Sequence, residues 1–177
     1  TGIHLSSYGV DLEGEDLLSL IKMVNEVPGI RRIRLGSLEP RIITEEFVEA
    51  LAQTEKLCPH FHLSLQSGCD TVLKRMNRRY TTEEYERGCQ LLRHTFDNPA
   101  LTTDVIVGFP GETEEEFVQS LDFIQRCAFS AMYIFPYSKR PGTPAAAMPH
   151  QVPRAVKEER ARRAAEAAAR MEQRYLE

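Results

Sequence analysis

The residues with the most chemistry in this sequence lie in short polar or glycine-rich segments, each following an apolar run. Val105-Ile106-Val107-Gly108-Phe109-Pro110-Gly111-Glu112-Thr113 ends an apolar run in two glycines around a proline. Glycines let the backbone approach a ligand, and a helix start offers unpaired N–H groups. The same glycines also serve a tight β–α turn. No Gly-Lys-Ser/Thr follows, so this is not a Walker loop, and the spacing is not a G-x-G-x-x-G dinucleotide turn. His62, Ser64 and Gln66 fall on one face of the apolar run Phe61–Gln66. Three polar side chains on one face of a central strand need a ligand or each other. Glu39, held by Pro40, suits the hydroxyls of a sugar, or is an ordinary surface carboxylate. Lys74, Arg75, Arg78 and Arg79, then Lys139 and Arg140, form two basic clusters. They are fit for a carboxylate or phosphates, or simply for solvation.

Positioning these segments requires alternating strands and helices. Leu17, Leu20, Ile21 and Val24 form one helical face over Asp16–Asn25, stopped by Pro28-Gly29. Arg32–Leu35 alternates like a strand and runs into Ser37-Leu38-Glu39-Pro40. Thr44 is a good N-cap for a helix through Phe47, Val48 and Leu51. A strand over Phe61–Gln66 is followed by helices over Asp70–Met76 and Thr82–Thr95. Thr102–Val107 is the next strand, and Thr113 with Glu116 makes a capping box for the helix after it. Ala131–Phe135 is the last strand, followed by a proline-rich loop over Pro136–Pro153. The final helix carries Glu158–Arg162, Glu159–Arg163 and Glu166–Arg170 at i,i+4 spacing, which reads as a solvated linker with no chemistry. Strands near 33, 63, 105 and 133, each separated by helix, require right-handed crossovers and a parallel sheet. Both a doubly wound sheet and a barrel place function at the carboxyl ends of their strands.

Composition narrows the class. The chain has 177 residues, 42% hydrophobic and 27% charged, which suffices for a buried core. No apolar run approaches about 18 residues, which excludes a transmembrane helix, and no signal peptide opens the chain. It begins with Thr1 rather than Met, inside what reads as a strand end, and is expected to be a fragment. A net charge of −4 argues against a surface that grips nucleic acid all over. Cys58, Cys69, Cys89 and Cys127 have neither zinc-ribbon nor iron–sulfur spacing and read as free thiols of a cytoplasmic protein.

LSLQSGCDTVLKRMNRRYT (63–81), TDVIVGFPGETEEEF (103–117) and FPYSKRPGTPAAAMPHQVP (135–153) resemble signature segments of the radical S-adenosylmethionine (SAM) methylthiotransferases. The segments come in that family's order and cover nearly the whole chain. TGIHLSSYG (1–9), SLEP (37–40) and QSGCD (66–70) most resemble the branch that methylthiolates N6-threonylcarbamoyladenosine in tRNA next to the anticodon. The resemblance implies an α/β fold, a partial TIM-like barrel of six βα units. It also implies a division into a partial radical SAM core over 1–153 and a linker helix over 154–177. Gly2 would lie where the amino group of SAM is held, Ser37 and Glu39 by its ribose, and Ser64 and Gln66 on the fourth strand facing it. Arg79 is a candidate for the SAM carboxylate. Val107 and Gly108 would flank the adenine, with Phe135 and Tyr137 beside it.

The family reaction implies a [4Fe–4S] cluster on a C-x₃-C-x₂-C loop, reductive cleavage of SAM, hydrogen abstraction at adenine C2 and a second cluster supplying sulfur. Its partners would be tRNA and a reductant such as flavodoxin or ferredoxin, with no membrane. The first strand with its three-cysteine loop has no counterpart in this sequence, nor do an N-terminal cluster domain and a C-terminal RNA-binding barrel. The chain is therefore expected neither to assemble the cluster nor to turn over by itself, and no catalytic residue is assigned. Two other readings share these residues: a ribosomal-protein aspartate methylthiotransferase with the same core, and a non-catalytic scaffold that binds RNA or a partner through the Lys/Arg clusters.

Overall fold

The computed structural model of the chain describes residues 5–177. Helix α1, Leu17–Glu26, starts where Asp16 accepts from the Ser19 N–H at 2.7 Å while Ser19 Oγ accepts from the Asp16 N–H. Strand β1 is Ser37–Leu38, α2 is Glu45–Ala52 behind its Thr44 cap, and β2 is His60–Leu63. Helices α3, Asp70–Arg75, and α4, Thr82–Thr95, precede β3, Ala100–Val107. Helix α5, Glu114–Cys127, opens with the Thr113–Glu116 capping box. Strand β4 is Ala131–Pro136, α6 is Pro144–Ala147 and α7 is Arg154–Leu176.

The sheet order is β1-β2-β3-β4, which is also the chain order. Ser37 pairs in parallel with His62, and Phe61 with Leu101. A sheet whose spatial and chain orders agree is wound in one direction, as in a barrel, without the reversal of a doubly wound fold.

Two compact units share the chain. The first comprises the chain up to Ser64 with Glu84–Thr102, and the second comprises Leu65–Glu83 with Thr103–Glu177. Leu38, Val48, Leu51, Phe61, Leu63, Tyr85 and Leu92 are buried in the first unit, where the Tyr85 hydroxyl donates to the Leu63 carbonyl at 2.8 Å. The second unit buries Leu65, Val72, Leu73, Val105, Phe123, Ile124 and Phe129. Its Tyr80 hydroxyl donates to the Leu65 carbonyl at 2.8 Å.

Three expectations for strands and loops change. The strand read at Arg32–Leu35 is reduced to an isolated bridge between Ile33 and Leu57, and only Ser37–Leu38 pairs continuously. Arg32, Arg34 and Gly36 are exposed, so that alternation has no second strand face to fill. The strand read to Gln66 stops at Leu63. Gln66 has φ +70 and meets Val105 through a single bridge, so it does not continue the strand face of His62. The proline-rich loop holds the short helix α6.

Helix α7 is not solvated all round. Arg160, Ala164, Ala167 and Met171 are buried as it packs on β4 and α5. Its arginines also choose other partners than those read from spacing. Arg154 pairs with Glu158 at 2.6 Å, Arg162 with Glu159 at 2.7 Å and with Glu166, and Arg163 reaches Glu114 of α5 at 2.5 Å.

Candidate functional site

In the first unit the carboxyl end of β1 leads into a 3-10 turn, Pro40–Ile42. Proline fixes φ at the turn's first residue, and the Glu39 N–H donates to Ser6 Oγ at 2.9 Å. The Glu39 carboxylate is partly exposed and faces Arg41 at 3.9 Å. Ser37 is half-buried and shares its sheet face with its register partner His62. His62 Nδ1 lies 3.0 Å from Thr102 Oγ1. Ser64, also half-buried, donates its N–H to the Leu38 carbonyl at 3.4 Å. A cavity of about 790 Å³ opens between Pro40–Glu45 and Glu84–His94 in this unit, and none of Ser37, Glu39 and Ser64 lines it. Gly2 lies outside the described residues.

In the second unit the chain after β2 is fixed from both sides. The Gln66 N–H donates to the Asp104 carbonyl and the Ile106 N–H donates to the Gln66 carbonyl, each at 2.9 Å. The Gly68 N–H donates to Ser120 Oγ at 2.7 Å, and a Cβ on Gly68 would lie 2.5 Å from the Ser120 carbonyl oxygen. Only glycine fits that approach to α5. The Gln66 side chain lines a cavity of about 470 Å³ with Asp104, Ile106, Phe135, Tyr137 and Arg140. Phe135 is 52% exposed there, an apolar ring left uncovered at the end of β4.

Three sequence candidates, Gln66, Phe135 and Tyr137, therefore meet at one cavity. Val107 and Gly108 lie just behind it, since the Tyr137 N–H donates to the Val107 carbonyl at 2.8 Å. Arg79 is exposed and does not line this cavity, whose arginine is Arg140. Arg75, of the first basic cluster, forks onto Glu116 at 3.0 and 2.5 Å. That Arg75 bond is the main reason the Glu116 carboxyl is held below the usual carboxylate range.

The loop 108–113 is held by a group that sequence reasoning passed over. Glu112 folds back so that Oε1 accepts from the Gly108 N–H at 2.8 Å and from Arg160 Nη1 at 2.8 Å. The same Arg160 nitrogen donates to the Glu112 carbonyl at 3.0 Å. The two side chains are 2% and 5% exposed, and burial is the main force pushing the Glu112 carboxyl up. Arg160 lies over the Phe117 ring at 5.4 Å, with its Nε 3.5 Å from Glu114. The spacing Arg160, Ala164, Ala167 and Met171 was the available signal, because i, i+4, i+7, i+11 is a buried stripe.

The donor set discriminates between the two groups that radical SAM chemistry uses. An apolar ring beside a carboxylate, an amide and a guanidinium fits a nucleoside. An iron–sulfur cluster needs converging thiolates, and among the described residues no group of three or more His, Cys, Asp or Glu side chains fits a metal. Cys69, Cys89 and Cys127 are buried singly and Cys58 is half-buried.

Residues 2–124 match the radical SAM superfamily. The chain is 46% identical over 164 residues to the threonylcarbamoyladenosine tRNA methylthiotransferase MtaB of Bacillus subtilis, covering 92% of this chain and 36% of that protein. It is 45% identical over 163 residues to the tRNA-2-methylthio-N(6)-dimethylallyladenosine synthase of Acetivibrio thermocellus, covering 92% and 34%. The chain thus spans about a third of the length of these curated relatives. Coproporphyrinogen III oxidase (HemN) of Escherichia coli, a radical SAM enzyme, superposes with TM-score 0.68 at 18% identity over 86% of this chain and 36% of that one. The radical SAM methyltransferase TsrM of Kitasatospora setae gives 0.59 at 21% identity over 73% and 26%. Both structures share the fold.

Proposed function

The chain belongs to the radical SAM superfamily, and on that premise we propose that it is part of a tRNA methylthiotransferase core and supplies a nucleoside-holding wall. The observation that carries this is the 470 Å³ cavity, where the exposed Phe135 ring stands beside Gln66, Asp104 and Arg140. The names of the relatives support tRNA as the substrate. The proposed product is the 2-methylthio form of N6-threonylcarbamoyladenosine next to the anticodon. The chain is 46% and 45% identical to members of the two kinds of tRNA enzyme.

SAM bound with its cluster would supply the radical and methyl chemistry of the family, and this chain's residues bind and orient. Phe135 and Ile106 offer apolar surface to a base, Tyr137 closes the side nearest β3, and Gln66 offers an amide. Val107 and Gly108 set the backbone behind that wall. Ser37, Glu39 and Ser64 are proposed as hydroxyl- and amine-binding residues of the first unit. Arg79, exposed, is proposed for a carboxylate on the resemblance of its segment to the family.

Two experiments test the reading. Adenosine titrated into the isotope-labelled chain should shift the resonances of Gln66, Ile106, Phe135 and Tyr137, and Phe135→Ala should weaken binding. No shift at these residues overturns the nucleoside wall. For activity, this chain replaces the matching third of the Bacillus subtilis relative, and tRNA nucleosides are analysed by mass spectrometry. Methylthiolated threonylcarbamoyladenosine supports the proposed substrate, methylthiolated dimethylallyladenosine moves it to the other branch, and unmodified tRNA from a folded chimera counts against the assignment.

A further inference from the structure

Lys157, on the first turn of α7, touches both walls of the loop behind the cavity. Its Nζ donates to the Tyr137 carbonyl at 2.8 Å and stands 5.8 Å from the Tyr137 ring centre. Its stem lies on Gly108, so that a Cβ there would come within 2.3 Å of Lys157 Cγ. A lysine on a helix surface ordinarily runs its stem along apolar surface and sends its charge to water. Here the charge turns inward, onto a residue that lines the cavity.

Tyr137 depends on such outside support. Its hydroxyl is buried without a hydrogen-bond partner among the described residues, so the phenol does not fix the ring. The ring packs on Cys69, Val72 and Phe109, the last at 5.4 Å and 73°, while the N–H bond to Val107 and the Lys157 bond hold the main chain that carries it. Arg160, one turn further along α7, clamps the loop through Glu112 in the same direction. A charge-assisted bond to a carbonyl is roughly twice as strong as a neutral one, so Lys157 is a contact through which α7 holds the Tyr137 main chain.

We propose that Lys157 is a positioning residue for nucleoside binding, holding Tyr137 and the Gly108 loop in the geometry that the cavity requires. The proposal rests on the nucleoside reading of that cavity given above. Lys157→Met keeps the stem and removes the donor, and Lys157→Arg keeps a cationic donor. Affinity for S-adenosylhomocysteine, measured by calorimetry on the full chain, should fall roughly tenfold in Lys157→Met and recover in Lys157→Arg. The thermal midpoint should stay close to that of the unsubstituted chain, and the Tyr137 ring resonances should move. Unchanged affinity in Lys157→Met overturns the proposal, as does Lys157→Arg binding no better than Lys157→Met. If the unsubstituted chain binds no S-adenosylhomocysteine, the nucleoside reading fails by itself. The Tyr137 ring signals then decide the positioning role: movement in Lys157→Met supports it and unchanged signals refute it.

Discussion

The loop after β1 and the loop after β3 each carry a glutamate just past a strand, yet their surroundings differ sharply. Glu39 is held by its backbone: its N–H meets Ser6, a 3-10 turn follows, and its carboxylate is 35% exposed opposite Arg41. Glu112 is held by its carboxylate, 2% exposed, which closes on Gly108 and on Arg160. A buried charge is tolerated only when paired and hydrogen-bonded. Glu112 therefore shapes its loop, whereas the Glu39 carboxylate stays partly at the surface. A carboxylate beside a glycine-rich turn is thus not by itself a ligand-binding group, and burial separates the two roles.

The comparison breaks most severely at Arg160. Arg160→Met leaves Glu112 buried without its partner and should cost about 3–5 kcal/mol in denaturant unfolding. Arg160→Met combined with Glu112→Leu should recover most of that loss, because replacing both ions with apolar groups removes the unpaired charge. A single variant as stable as the parent would show that the pair does not hold the loop. Gly108→Ala comes next, at about 2 kcal/mol, since φ +70 is unfavourable for alanine and the new Cβ meets the Lys157 stem. Gly111→Ala shares the positive φ but has no contact closer than 3.7 Å, so it should cost less than Gly108→Ala. Equal losses would argue that Lys157 does not press on Gly108.

Acidity sharpens the contrast within the second unit. Glu116 is held low, first by its bond to Arg75, so its contribution is present above the unfolded value near 4.5 and is lost as pH falls through the folded one. Glu112 is pushed up, first by burial, so it favours folding below 4.5 and gives that up as pH rises through its folded value. The stability deficit of Glu116→Gln should therefore shrink as pH falls, and that of Glu112→Gln should shrink as pH rises. Parallel pH profiles would contradict this pairing of opposite signs. The smallest effect is expected at Glu39, where Glu39→Gln should change stability by less than about 0.5 kcal/mol. A loss of several kcal/mol there would make Glu39 a structural residue like Glu112.

Helix boundaries were readable because caps are local chemistry. Thr44 and Thr113 accept the N–H groups expected of them, and the parallel pairing follows from alternating elements. Strand ends were less readable. Nothing in Phe61–Gln66 announces that Gln66 adopts φ +70, because the cause is the bonding of its backbone to Asp104 and Ile106, residues distant in sequence. The cavity was half visible. Gln66, Phe135 and Tyr137 stood in recognisable segments, but Asp104 and Ile106 looked like ordinary strand residues. Arg160 and Lys157 were hidden by composition, since a helix rich in Arg, Glu and Ala satisfies its charges within itself on paper. Only the packing of α7 on β4 and α5 shows which arginine turns inward.

The Arg160–Glu112 contact spans 48 positions of chain, and this has a consequence for biosynthesis. A ribosome adding about 5–20 residues per second needs roughly 2 to 10 s to travel that distance. Throughout that interval the glycine-rich loop has left the exit tunnel ahead of the arginine that neutralises it. The nascent loop should therefore be cut readily by protease in chains stalled before residue 160 and resist cleavage once α7 has emerged. Helix α7 is then the element that completes a turn translated seconds earlier.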